Sequence, residues 1–259
     1  MYTYVYDNFV TDKKNEKLLS RVESRLTDLG ISGRIERLTM FKNVREIVAD
    51  AADQGCETIV AVGNDETVGR VIDAVGEFQM AFGIVPIGEG PHVIAGMLGI
   101  EEGVEACNIL SRRVLQTVDL GRINDHYFLS SVLIPRTRAA ISCNGQYSVI
   151  PTEDNEVQVC NLAAMSVDAG GATAYSSPRD GYLETVFQPA PRRGLFSKLF
   201  RAAEPAPAPT VVPVRTLRVK HSQPVTVIRD GQRLSSTILD IEILPKALRV
   251  VTGKDRKFE

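Results

Sequence analysis

Apolar positions along the first hundred residues switch between the two periods of regular structure. Tyr2-Thr3-Tyr4-Val5-Tyr6 is a β-rich run, and its alternating tyrosines predict an edge strand. A helix capped by Asp12 follows, with Leu18, Leu19, Val22, Leu26 and Leu29 on one stripe and Gly30 as its stop. Arg34 to Leu38 reads as a second strand. A second helix runs from Asn43, with Val44, Ile47, Val48, Ala51 and Ala52 on one face and Gly55 as its end. Thr58 to Val62 and Phe82 to Ile87 are unbroken apolar runs, the pattern of parallel strands covered on both faces by helices.

After about Arg113 helical periodicity gives way to short β-type runs. These are Val114–Asp119, Tyr127–Ile134, Val157–Ala163, Tyr182–Phe187, Thr216–Val219, Val225–Ile228, Ile238–Ile243 and Leu248–Val251. The predicted fold class is therefore α/β + β: a doubly wound α/β nucleotide-binding domain over residues 1–112, then a β-sandwich domain over 113–259. Between positions 189 and 213 lie six of the thirteen prolines, marking a Pro-rich excursion from the second domain.

Composition narrows the picture. A chain of 259 residues with 44% hydrophobic and 24% charged side chains has the balance of a globular protein. Its formal net charge of −2 argues against a dedicated nucleic-acid binder. No run approaches the roughly 18 to 20 apolar residues of a membrane span, and the N-terminus lacks the order of a signal peptide. The four cysteines, Cys56, Cys107, Cys143 and Cys160, have neither CxxC nor metal-ligand spacing, which predicts reduced, packed thiols in a cytoplasmic protein.

Candidate chemistry belongs at the turns that follow the buried strands, because ligands of open α/β sheets sit at the carboxyl ends of the strands. One turn reads Gly63-Asn64-Asp65-Glu66-Thr67, with a helix expected near Val68; the other reads Gly88-Glu89-Gly90-Pro91-His92. Glycine turns that open helices bring N–H groups toward an anion, or they are simply tight turns.

At these residues the chain resembles the diacylglycerol kinases and related bacterial lipid kinases. AVGNDETVGRVID is similar to that family's GGDGT stretch, and IVPIGEGPHVIAGMLGI to its I-P-x-G-T-G-N-D-x-A-x-x-L-G-I. VDLGRINDHYFLSS, Asn161, Gly170-Gly171, PRDGYLETV, IRDGQRL and IEILPKALRVV continue the resemblance in order. The last of these does not suit a nicotinamide-dinucleotide kinase.

The resemblance implies ATP and Mg2+ as cofactors and a diacylglycerol-like lipid as substrate. It implies that Gly63, Asn64, Asp65, Glu66 and Thr67 lie along the phosphates, with Gly88, Glu89 and Gly90 in the adjoining loop. Asp65 would join the metal or phosphate network, Asp180 and Glu184 would hold a structural magnesium, and Asp230 would be the catalytic base. Read without the family, Asp230-Gly231 is a hairpin turn.

The departures leave two outcomes, an active kinase or an inactive pseudokinase that binds lipid or nucleotide. Asn64, which tolerates positive φ, stands for a glycine; Glu66 replaces another, and Glu89 a threonine. Pro91 and His92 stand for Asn and Asp, Asp7-Asn8-Phe9 replaces an NPxSG loop, and Gln232 replaces a glutamate. A helical insert after the Y-F-L-N strand is missing. One uncompensated like charge about 4 Å from a phosphate costs about 4 kcal/mol at an effective dielectric of about 20. Glu66 and Glu89 therefore either repel nucleotide or serve as additional magnesium ligands.

Arg192 to Arg201 places Leu195, Phe196, Leu199 and Phe200 on one helical face, and residues 192–220 hold seven Lys/Arg against one Glu. That pattern predicts either peripheral contact with an anionic membrane or a short helix docked on its own protein. His92 and His126 are expected in surface or capping roles. Nothing in the sequence sets the oligomeric state.

Overall fold

The computed structural model describes residues 1–39, 43–151, 155–168, 172–189 and 208–259. The N-terminal unit interleaves strands β1 (Tyr2–Tyr6), β2 (Arg34–Arg37), β3 (Thr58–Gly63) and β4 (Ala81–Pro86) with helices α1 (Glu16–Asp28), α2 (Val44–Asp53), α3 (Asp65–Val75), α4 (Val93–Met97) and α5 (Val104–Arg112). Its strands are all parallel, in the order β4-β3-β1-β2. Every residue of β3 and β4 is buried, as their continuous apolar runs require. α1 packs with α5 and α2 with α3 over this sheet.

The strand-rich remainder begins with β5 (Leu115–Ile123), β6 (His126–Phe128), β7 (Ser131–Thr137), β8 (Ile141–Cys143), β9 (Tyr147–Val149) and β10 (Asn155–Cys160). It continues through β11 (Ala164–Ser166), β12 (Thr173–Tyr175), β13 (Leu183–Pro189), β14 (Thr210–Val214), β15 (Thr216–Arg229) and β16 (Gln232–Val251). The four short runs expected after position 215 are two long strands. β15 carries a register shift between Lys220 and Val225, and β16 one between Leu244 and Leu248. The β16 irregularity is held by the buried Asp119, whose carboxylate accepts the N–H of Lys246 at 2.7 Å and of Gly181 at 2.8 Å.

β16 also joins the two units. Leu239, Ile241 and Ile243 lie in the core of the β region, whereas Leu248, Val250 and Val251 lie in the core of the α/β unit. There Arg249 and Val250 pair in parallel with Ala81 and Phe82 of β4, so one sheet runs through both units. The segment after β16 tucks under α4. Gly253 and Lys257 donate to the carbonyls of Leu98 and Met97 at 2.9 Å each, and Phe258 is buried in the first core.

Three local expectations change. β1 is not an edge strand: it pairs with β2 and β3, and the short, charged β2 forms the edge. α1 starts at Glu16 rather than after Asp12, because Asp7 caps a separate 3-10 turn at Asn8–Thr11 and Asn15 Nδ2 ties that turn back to the Phe9 carbonyl at 2.8 Å. α3 starts at Asp65, earlier than expected, because Asn64 is its N-cap with φ −100°; the positive φ, 156°, belongs to Gly63. The four cysteines are free and buried. Among the described residues, no helix is long and apolar enough to cross a membrane.

Candidate active site

β3 and β4 are parallel neighbours with Gly63 opposite Pro86, so the bends that follow them emerge side by side. They are bonded to each other. Ile87 N–H donates to the Gly63 carbonyl at 3.2 Å, Asp65 N–H to the Pro91 carbonyl at 3.0 Å, and Asn64 Nδ2 to the Glu89 carbonyl at 3.2 Å. Asp65 aims both carboxylate oxygens at the start of α4, accepting from Val93 N–H at 2.8 Å and Ile94 N–H at 3.1 Å. Burial pushes its pKa up, and those two donors partly offset the effect. Gly88 and Gly90 are glycines of necessity: φ is 95° and 121°, and an added Cβ would lie 2.5 Å from the Phe9 ring and 2.8 Å from Asn64 Nδ2.

The first turn of α3 is capped from within. Asn64 Oδ1 accepts the N–H of Glu66 at 3.1 Å and of Thr67 at 3.3 Å, and Thr67 Oγ1 donates to Asp7 Oδ2 at 2.6 Å. The two acidic replacements each meet a cation of their own. Glu66 pairs with Arg70 at 2.8 Å and Glu89 with Lys14 at 3.2 Å. Such exposed pairs contribute under about 1 kcal/mol to stability, yet they place a compensating charge beside each carboxylate. Glu66 and Glu89 therefore do not stand as a bare facing pair.

From the other end of the sequence, the β15–β16 hairpin brings Asp230 against α3. Asp230 and Gly231 have φ 44° and 79°, a turn with two left-handed residues, so the hairpin reading of Asp-Gly describes its backbone. The side chain points inward. Its carboxylate accepts the N–H groups of Leu129 at 2.6 Å and of Ser130 and Ser131 at 3.0 Å each. Burial raises its pKa to about 6 against the pull of those donors and Arg229. A Cβ on Gly69 of α3 would lie 2.4 Å from the Asp230 carbonyl oxygen, and Gln232 Nε2 donates to the Glu66 carbonyl at 3.1 Å. The Asp230 turn and the 63–67 bend thus share one wall.

Residues 2–123 match the diacylglycerol kinase catalytic domain family. Over that stretch, just under half of the chain, it is similar to the catalytic domain of the diacylglycerol kinases. An 86-residue stretch is 33% identical to the "Probable lipid kinase YegS-like" protein of Alcanivorax borkumensis, and an 89-residue stretch is 30% identical to the protein of the same name from Chromohalobacter salexigens. Each alignment covers 32% of this chain and 28% of the relative's length. Over nearly the whole chain the fold is similar to solved structures from Bacillus anthracis str. Sterne. One, described as a diacylglycerol kinase, has a TM-score of 0.73 at 15% identity and covers 98% of this chain and 97% of that one. A second, described as a diacylglycerol kinase by assignment only, gives 0.74 with the same coverage and identity.

The expected structural-metal pair, Asp180 and Glu184, lies in the strand-rich region, just before and within β13. Glu184 Oε2 is buried without a hydrogen-bond partner, and burial together with the nearby Asp180 carboxylate lifts the Glu184 pKa to about 7. Asp180 Oδ1 accepts Tyr182 N–H at 2.9 Å. An orphaned carboxylate oxygen beside a second carboxylate suits a hard cation. Among the described residues no group of three or more His, Cys, Asp or Glu side chains could hold an ion, so further ligands there would be main-chain oxygens or water.

Four residues of the site were not singled out as chemical groups by the sequence: Asp7, Arg70, Asp73 and Arg229. Asp73 on α3 accepts from His126 Nδ1 at 2.9 Å, Tyr127 N–H at 2.9 Å and Arg229 Nη2 at 3.1 Å, latching α3 to the strand beside Asp230. Its spacing from Asp65 and Glu66 on α3 was the available signal. His92 pairs through Nδ1 with Glu102 at 2.9 Å. Gly170-Gly171 and the basic segment 192–201 lie outside the described residues.

Proposed function

We propose that the chain transfers the γ-phosphoryl group of ATP to the hydroxyl of a diacylglycerol-like lipid. The observation that carries this reading is the shared wall of Asp230 and α3. A carboxylate raised toward neutral pH stands beside the bends that the family resemblance assigns to the phosphates, although 164 residues separate Glu66 from Asp230 in the chain. Phosphoryl transfer requires cradled phosphates, a cation and an oriented hydroxyl.

In this reading Gly63, Asn64, Glu66, Thr67, Gly88, Glu89 and Gly90 line the nucleotide's phosphates. Asp65 holds the two bends in register through the N–H groups of Val93 and Ile94. Magnesium, when bound, neutralises charge on the phosphates. Asp180 and Glu184 are the residues that would hold a second, structural magnesium, and the unpartnered Oε2 of Glu184 supports that assignment. Asp230 takes the hydroxyl proton of the lipid. A carboxylate has about four acceptor positions and three here receive main-chain N–H groups, which leaves one for the proton. A pKa of about 6 suits a base working near neutrality. The reaction is set at the cytoplasmic face of a membrane, with residues 192–201 as the contact.

The test is incubation of the full chain with γ-labelled ATP, Mg2+ and mixed micelles carrying diacylglycerol, monoacylglycerol or a sphingoid base, followed by lipid extraction. Label in diacylglycerol that requires Mg2+ is the expected result. Label in no lipid at millimolar nucleotide would overturn the kinase reading and leave a binding module without turnover.

A further inference from the structure

The donors around the first turn of α3 are already in use by acceptors that the chain itself supplies. Asn64 Oδ1 takes the N–H groups of Glu66 and Thr67 and lies 3.3 Å from Thr67 Oγ1. The Asp7 carboxylate takes Thr67 Oγ1 at 2.6 Å and Asn8 N–H at 2.8 Å, and faces Arg70 Nη2 at 3.5 Å. Asp7 is buried, and its N–H is fixed to the Val62 carbonyl at 3.1 Å, one strand over from the bend. A hydroxyl, a main-chain N–H and a guanidinium around a sheltered anion form the donor set that a phosphoryl group recruits at a helix N-terminus. Asn64 is also locked from its other side, because Nδ2 donates to the Glu89 carbonyl and only a glycine at position 90 leaves room for it.

We infer that Asp7 and Asn64 are built-in competitors of the nucleotide's phosphates and set the nucleotide affinity of this site. The inference rests on the ATP reading above. A phosphate chain entering the bend has to displace the Asn64 amide from two N–H groups, and it meets the Asp7 charge beside Thr67 and Arg70. The two residues carry no chemistry; they hold the bend closed until nucleotide opens it. Glycine, which the resembled GGDGT pattern has at position 64, is itself an acceptable N-cap, so Asn64→Gly removes the amide with little loss to the helix. Asp7→Asn keeps the size and the capping oxygen of Asp7 while removing its charge.

Isothermal titration of Mg·ATP, and separately of tripolyphosphate, into the full wild-type, Asn64→Gly and Asp7→Asn chains tests this. Both variants are expected to bind both probes about tenfold more tightly than wild type. Thermal melts without ligand verify that each variant is folded, and either folded variant suffices for the comparison. Wild type binding Mg·ATP as tightly as the variants would overturn the inference and leave the ATP reading standing. Weaker binding by the variants would overturn it too, assigning Asn64 and Asp7 to support of the site. No binding of either probe by any of the three chains would overturn both.

Discussion

Asp230 and Glu184 are both carboxylates whose burial opposes ionisation, with consequences for stability that can be measured. Asp230 is raised from 3.8 to about 6 and Glu184 from 4.5 to about 7. The folded state binds these protons more tightly than the unfolded chain does. Each group therefore contributes stability below its unfolded value, and that contribution is lost as pH rises through the folded one. Glu184→Gln is expected to raise the melting temperature at pH 8 while leaving it unchanged at pH 4. Millimolar Mg2+ should stabilise the wild type at pH 8 and have no such effect on Glu184→Gln. An equal magnesium response in both chains would rule out the proposed role of Glu184 as a magnesium ligand. The turn at Asp230-Gly231 was legible as a dipeptide, but the direction of its side chain was not, because that depends on the N–H groups of residues 129–131, about a hundred positions away.

At the scale of elements, α3 organises the site: its first turn carries the 63–67 bend, Gly69 abuts the Asp230 turn and Asp73 latches Arg229. Gly69→Ala would place a methyl 2.4 Å from a main-chain oxygen that cannot rotate away. Such overpacking costs about 1–3 kcal/mol. The urea midpoint is expected to fall by the corresponding amount at unchanged m-value; an unchanged midpoint would mean that the helix and the turn are not in contact. β3 and β4 were legible because burial on both faces writes an uninterrupted apolar run. α3 starts at Asp65 rather than near Val68, where its apolar stripe first shows, because the polar Asn64 side chain caps it. α5 was missed although Ala106, Cys107 and Leu110 carry helical spacing, its stripe being too short to stand out. The bonding between the bends was legible only as adjacency, since the sequence shows two turns after two strands and not the Asn64–Glu89 and Asp65–Val93 bonds that close them together.

Over the whole molecule, β16 makes the two units interdependent. Its first part packs the β region, and its last residues, with Phe258 beyond them, pack the α/β core. Sequence periodicity divides the chain where helices stop, but it cannot show that the final strand returns to the first sheet. Phe258→Ala removes a buried ring beside α4 and is expected to destabilise the protein by about 2 kcal/mol. Circular dichroism and tyrosine fluorescence should report one coincident transition for both chains. Two separated transitions would mean that the α/β and β units unfold independently.

The account stands on Asp230 acting at the wall it shares with α3. Its most direct measurement is the rate of labelled-phosphate transfer from ATP to diacylglycerol by wild type and Asp230→Asn in identical micelles, well below the melting temperature of both. Loss of a general base predicts a fall in kcat of about a hundredfold or more, with little change in KM for ATP. Transfer by Asp230→Asn at the wild-type rate would contradict the account.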